Sequence, residues 1–181
     1  MTRQSVRIPK DRIGVLIGKG GKVKTQVEKE TGVRIIIDSE EGDVTVDYSK
    51  ASDPSVVLPV MDFVVAVGRG FSPEKAIIVL EDDRYLEVVD IREYVGKKPA
   101  HIARMRARVI GTKGKTRRLF EELTGVYMSV YGNTVALIGD TLQLDIARRA
   151  LDMLLSGSEH SAVYKFLEGK RAEIKIDGMG F

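Results

Sequence analysis

Apolar and polar residues alternate through Ser5-Val6-Arg7-Ile8 and stop at Pro9, which predicts a short strand. Ile13, Leu16 and Ile17 then fall on one side of a short helix that Asp11 is placed to cap. A glycine-rich break follows. Helical spacing resumes with Val23 and Val27, giving a helix from Lys22 to about Glu30 that Thr31-Gly32 closes, Gly32 being the left-handed residue usual past a helix end. Val33 to Asp38 is a β-branched strand, residues 39–43 a turn, and Val44 to Tyr48 the returning strand. Asp53-Pro54 starts an apolar helix running to about Val67, with Pro59 expected to delay its start or bend it. Ser72-Pro73 opens another short helix to about Leu80, and the polar Glu81 to Arg84 marks a boundary.

The same order returns beyond that boundary. Tyr85 to Ile91 reads as a strand, Pro99 begins a helix through Ile110, and a second helix spans Lys115 to Leu123. Val126 to Tyr131 and Thr134 to Ile138 form a hairpin through Gly132-Asn133. The helix after it is strongly amphipathic, with Leu144, Ala147, Leu151 and Leu154 on one side. A last helix around His160 to Arg171 precedes a glycine-containing tail expected to fray. Its Val163, Phe166 and Leu167 are expected to pack on the second half of the chain.

The two halves are related. Ile17 to Val33 and Ile110 to Val126, 93 residues apart, agree without a gap at eight of 17 positions. Shared are Ile17/Ile110, Gly18/Gly111, Gly21/Gly114, Lys22/Lys115, Glu28/Glu121 and the Thr-Gly-Val ending. An internal duplication divides the 181 residues into modules at 1–82 and 83–157, with a C-terminal helix and tail at 158–181.

Charge follows the repeat. Seven Lys or Arg and no acid lie between Arg104 and Arg118, which leaves 22 basic residues against 26 acidic ones elsewhere. Lys10 to Lys24 is a milder version, with five basic residues against Asp11. Positive charge concentrated at two glycine loops, on a chain of net charge +3, is the footprint of an anion site and plausibly of nucleic acid.

Composition removes several classes. The chain has no cysteine, so it has no disulfide, thiol nucleophile or Cys-based zinc site. His101 and His160 stand far apart and read as structural or solvated. Asp38, Asp43 and Asp47 surround a hairpin turn, where acids serve solubility more often than metal binding. The N-terminal ten residues lack an apolar signal region, and Val56 to Val67 is broken by Pro59 and Asp62; an intracellular protein with no membrane partner is expected.

A Gly-x-x-Gly turn between helices uses glycine for backbone angles closed to other residues and for close approach of another backbone. The helix beginning after it presents unpaired N–H groups and partial positive charge. Lys19, Lys22 and Lys24 in the first copy, and Lys113, Lys115 and Arg117 in the second, add full charges. Two sharper motifs fail. Gly114-Lys115-Thr116 ends like a P-loop, but that motif needs glycine where Val109 stands. A dinucleotide fingerprint from Gly18 needs glycine where Val23 stands.

The run from Val6 to Ile37 closely resembles the KH domain, which recognises single-stranded RNA or DNA through a Gly-x-x-Gly loop clamping about four nucleotides. The resemblance extends through both modules and implies an α+β fold: two type I KH modules (β-α-α-β-β-α) in tandem with an extra C-terminal helix. Carried over, the clamps are Gly18-Lys19-Gly20-Gly21 and Gly111-Thr112-Lys113-Gly114. Residues 67–76, 85–91 and 160–171 are similar to the archaeal relatives of the eukaryotic small-subunit assembly factor partner of Nob one. This implies RNA binding near the 3′ end of precursor small-subunit rRNA, alongside the endonuclease that trims it and other assembly factors, with no cofactor and no catalysis. The second module departs from the KH pattern in its long arginine-rich first helix. Arg104 and Arg108, one turn apart, are expected to share a face with the loop, and Arg106 to point elsewhere. A transcription-elongation or single-stranded DNA factor is the alternative, because the loop reads backbone and base edges more than sugar.

Overall fold

The computed structural model describes residues 1–179. The chain forms two compact units, Met1–Asp82 and the residues from Asp83 onward. Among the described residues no helix is long and apolar enough to cross a membrane.

In the first unit β1 (Arg3–Arg7) leads through a 3-10 turn into α1 (Ile13–Ile17), and α2 (Lys22–Thr31) follows the first glycine loop. The hairpin β2 (Arg34–Asp38) and β3 (Asp43–Asp47) comes next, then α3 (Val57–Gly68), α4 (Pro73–Ala76) and a further 3-10 turn. The sheet is antiparallel in the order β1-β3-β2, with Ile35 opposite Val46 and Ile37 opposite Val44. Period-two alternation sends Ile35, Val44 and Val46 to the buried face. The other face is polar, where Arg3 pairs with Asp47 at 2.9 Å and Arg7 with Asp43 at 2.9 Å.

One local expectation changes. Asp11 does not cap α1, because it lies inside the 3-10 turn Lys10–Arg12, whose N-cap is Pro9. That turn runs straight into α1 through a helical Arg12, so no extended residue stands there to act as a cap. Asp53 does cap, its side chain accepting from the Ser55 amide. Pro59 falls in the first turn of α3, where a missing N–H costs nothing, and it delays the regular helix behind a 3-10 turn, Pro54–Val56.

The second unit repeats the order with β4 (Tyr85–Asp90), a short α5 (Arg92–Val95) that periodicity did not reveal, α6 (Pro99–Ile110) and α7 (Lys115–Thr124). β5 (Tyr127–Tyr131), β6 (Thr134–Gly139), α8 (Thr141–Leu155) and α9 (His160–Gly178) complete it, with sheet order β4-β6-β5. Asp140 and Gln143 form a reciprocal capping box at the start of α8. The face predicted from Leu144, Ala147, Leu151 and Leu154 is the buried one.

The C-terminal helix packs on α7 and α8 and belongs to this unit's core. Val163 and Leu167 are fully buried, with Phe166 against the same cluster. Each such side chain contributes about 1.5–3 kcal/mol on burial toward holding the helix down. The helix continues beyond Arg171 to Gly178; Gly180 and Phe181 lie outside the described residues.

Candidate nucleic-acid interface

The two glycine loops have the same backbone. Gly18 and Gly111 lie at φ 78, ψ 169 and φ 76, ψ 171. Gly20 and Lys113 lie at φ 63, ψ 22 and φ 54, ψ 28. Gly21 and Gly114 lie at φ 75, ψ 12 and φ 75, ψ 16. The first helix of each pair ends when Gly18 N–H donates to the Gly14 carbonyl at 3.0 Å, and Gly111 N–H to that of Ala107 at 2.8 Å.

The glycines do different work within the loop. A Cβ on Gly18 would stand 2.5 Å from Val23 Cγ2, and one on Gly111 2.8 Å from the Thr116 amide nitrogen, so these positions close the turn by tight packing. A Cβ on Gly20 or Gly21 would meet nothing within 4 Å, and one on Gly114 would meet only Arg118, at 4.0 Å. The second pair of positions therefore faces open space, where a ligand backbone can approach. Lys113 holds a left-handed conformation without being glycine, and its carbonyl accepts from Arg118 at 2.9 Å.

Neither α2 nor α7 has a side chain capping its N-terminus, so first-turn N–H groups point at the loop with the positive end of the helix dipole. Lys19, Lys22, Thr112, Lys113, Lys115 and Arg104 are all exposed. Lys24 is paired with Glu28 at 3.3 Å, and Arg117 lies 4.0 Å from Glu121. Lys115 Nζ stands 5.8 Å above the ring of Tyr164. Beside the first loop, Gly20, Lys22, Thr25, Gln26 and Lys29 line an open hollow.

Arg108 differs from the rest. Its Nε–H donates to the Leu154 carbonyl at 3.0 Å, and a second guanidinium N–H donates to the Ser158 carbonyl. It is turned inward to the end of α8, while Arg104, one helical turn earlier, stays in solvent. Arg106 is half-buried, and its Nε has no hydrogen-bond partner among the described residues.

The other shared residues hold the helix to the sheet. Glu28 accepts from the Ile35 amide at 2.9 Å, and Glu121 from the Met128 amide at 3.2 Å. Thr31 donates to the Val27 carbonyl and Thr124 to that of Phe120, while Gly32 and Gly125 turn left-handed and Val33 and Val126 enter the core. The repeat is thus a loop followed by a staple.

Sequence reasoning missed three residues behind the second loop. Thr116 is 1% exposed, and its hydroxyl is hydrogen-bonded to that of Tyr164 on α9 at 2.7 Å. His160 Nε2 lies 2.9 Å from the Arg108 carbonyl, a bond its Nε2–H tautomer makes. The available signal was the repeat itself, which places Thr116 where the first copy has Val23.

The hairpin acids are occupied otherwise than as a metal cluster. Asp38 accepts from the Glu40 and Glu41 amides, and Asp43 holds Arg7. Asp47 is held down to about 2 by Ser49, through its hydroxyl and amide, and then by Arg3.

Two modules of β-α-α-β-β-α order, apart from the added short α5, each with a Gly-x-x-Gly loop between the two helices that precede its hairpin, define a tandem type I KH protein. Residues 3–57 match the KH domain and residues 85–172 the eukaryotic type KH-domain (KH-domain type I). A KH domain-containing protein of Methanocaldococcus jannaschii is 49% identical over 171 residues, 94% of this chain and 74% of that one. The pre-rRNA-processing protein pno1 of Schizosaccharomyces pombe is 27% identical over 94% of this chain and 71% of its own length. Among solved structures, the Dim2p chain of an a/eIF2alpha–Dim2p–rRNA complex from Pyrococcus horikoshii is 44% identical, covers 94% of both chains and superposes with a TM-score of 0.88. The chain belongs to the tandem KH family that includes these archaeal proteins and pno1.

Proposed function

We propose that this protein binds small-subunit ribosomal RNA near its 3′ end and serves in assembly of that subunit as a cytoplasmic factor that catalyses no reaction itself. One observation carries the reading: two Gly-x-x-Gly loops of matching backbone, each beside exposed lysines, in a chain 44% identical to a Dim2p solved with rRNA. The loops Gly18 to Gly21 and Gly111 to Gly114 receive phosphates through the amides of Lys19 and Gly20 and of Thr112 and Lys113, because the N–H groups of Gly18, Gly21, Gly111 and Gly114 donate to carbonyls within the turns. Lys19, Lys22, Lys113 and Lys115 neutralise them, and Lys24 and Arg117 add charge while tied to their glutamates. Arg104 extends the basic face along α6, and Arg108 has a positioning role, because its guanidinium is bonded to carbonyls. The relative's complex supports an initiation-factor α subunit as a partner. The rRNA-trimming endonuclease is a further partner of this reading.

The test is fluorescence anisotropy with the small-subunit rRNA 3′ end, a scrambled RNA and the matching DNA. Native protein is compared with Thr112→Asp/Lys113→Asp, which suits the fold because aspartate tolerates the left-handed angle at 113 better than most residues. The expected result is RNA-selective binding that weakens at least about tenfold in the variant, as for the loss of more than one charge-assisted contact. Equal binding to all three probes would reduce the basic face to a generic phosphate surface. Magnesium-dependent cleavage of the RNA by purified protein would overturn the non-enzymatic part.

A further inference from the structure

We infer that α9 is a positioning element for the second glycine loop, acting through Tyr164 on Thr116 and through His160 on the last turn of α6. The inference rests on the reading of that loop as an RNA clamp. It begins from two differences between the copies. Where the first loop has Gly20 in the left-handed conformation, the second has Lys113, and where the first has Val23 against Gly18, the second has Thr116 against Gly111.

Each difference needs support that the first module does not need. A lysine at φ 54 keeps that conformation only where its surroundings over-determine it. A hydroxyl 1% exposed requires a partner. α9 supplies that partner in Tyr164, at 2.7 Å, and the same ring lies under the ammonium of Lys115, the first residue after the loop.

The other flank of the loop is tied to the same segment. The Arg108 carbonyl, three residues before Gly111, meets His160 at 2.9 Å, and the Arg108 side chain donates to Leu154 and Ser158, which lead from α8 into α9. Residues on both sides of the loop are therefore fixed by one stretch, 154–164. The loop is set before RNA arrives, which lowers the ordering cost of binding. Val163 and Leu167, fully buried, keep the stretch in place.

The experiment uses the full chain carrying Tyr164→Phe, which keeps the ring and removes the hydroxyl. Amide NMR shifts of Gly111 and Gly114 are expected to move while those of Gly18 and Gly21 stay. Affinity for the rRNA 3′-end probe should fall about three- to tenfold, the worth of one hydrogen bond. The melting temperature should drop by no more than about 4 °C. Thr116→Val, which copies Val23, should give the same loss, and the pair no more than either alone. In a Thr112→Asp/Lys113→Asp background Tyr164→Phe should cost nothing further. Unmoved glycine amides, or an equal loss in that background, would overturn the positioning role. If Thr112→Asp/Lys113→Asp itself binds RNA like the native chain, the clamp reading fails instead, and the glycine shifts still judge the positioning separately.

Discussion

Two glycines of one loop that share a positive φ are expected to differ in what they tolerate. Gly21 pays only for its backbone angle if changed to alanine, since its added methyl meets open space. A single left-handed residue costs roughly 1–2 kcal/mol. Gly18 and Gly111 combine φ near 77 with ψ near 170, a region almost reserved for glycine, and their methyls would strike Val23 or Thr116. Urea unfolding should therefore place Gly21→Ala about 1 kcal/mol below the native chain and Gly18→Ala and Gly111→Ala roughly 3 kcal/mol below it. Equal losses at all three would refute the division between closing and open positions. At this scale the sequence was informative where a residue type has one physical use, as with the paired glycines. It set Arg108 beside Arg104 on the loop's face and did not show where the guanidinium goes, because i, i+4 spacing puts both on one helix face without showing that the end of α8 waits there with bare carbonyls. Thr116 was hidden for a similar reason: a threonine after Gly-Lys suggests a phosphate motif, and only the fold brings Tyr164 to it.

The elements were more legible than the contacts between them. Periodicity, a helix-starting proline and turn residues located the helices that begin at Pro99 and Thr141, and both hairpins, because amphipathic spacing and turn residues are local properties. Asp11 failed as a cap because a 3-10 turn merges with α1, a joint that spacing alone does not encode. α9 is the element whose role depends most on the fold. Its burial of Val163 and Leu167 predicts that a chain ending before Ser158 loses about 3 kcal/mol or more, a fall of roughly 6–12 °C in melting temperature by calorimetry. An unchanged melt would mean that the helix does not contribute to the second module's core.

At the scale of the whole molecule the question is how two loops divide the work, and charge gives a way to count. Net charge is only +3, so attraction for RNA is a property of the basic stretches rather than of the whole surface. Each phosphate neutralised on a single strand contributes about 0.7 to the log–log salt slope, so four to seven contacts predict a slope of roughly −3 to −5. Lys19 and Lys22 are exposed on the first loop, and Thr112 and Lys113 on the second, so each loop's share can be removed without touching the other. If both loops hold the same RNA, Lys19→Ala/Lys22→Ala should flatten the slope by about 1.4, two contacts' worth. It should also cost part of the avidity gained by joining two sites in one chain, a gain of roughly 10² to 10⁴. Anisotropy titrations across a salt series read both quantities at once. A slope unchanged by the first-loop substitutions would leave the second module, with its arginine-rich α6 and braced loop, as the sole RNA clamp.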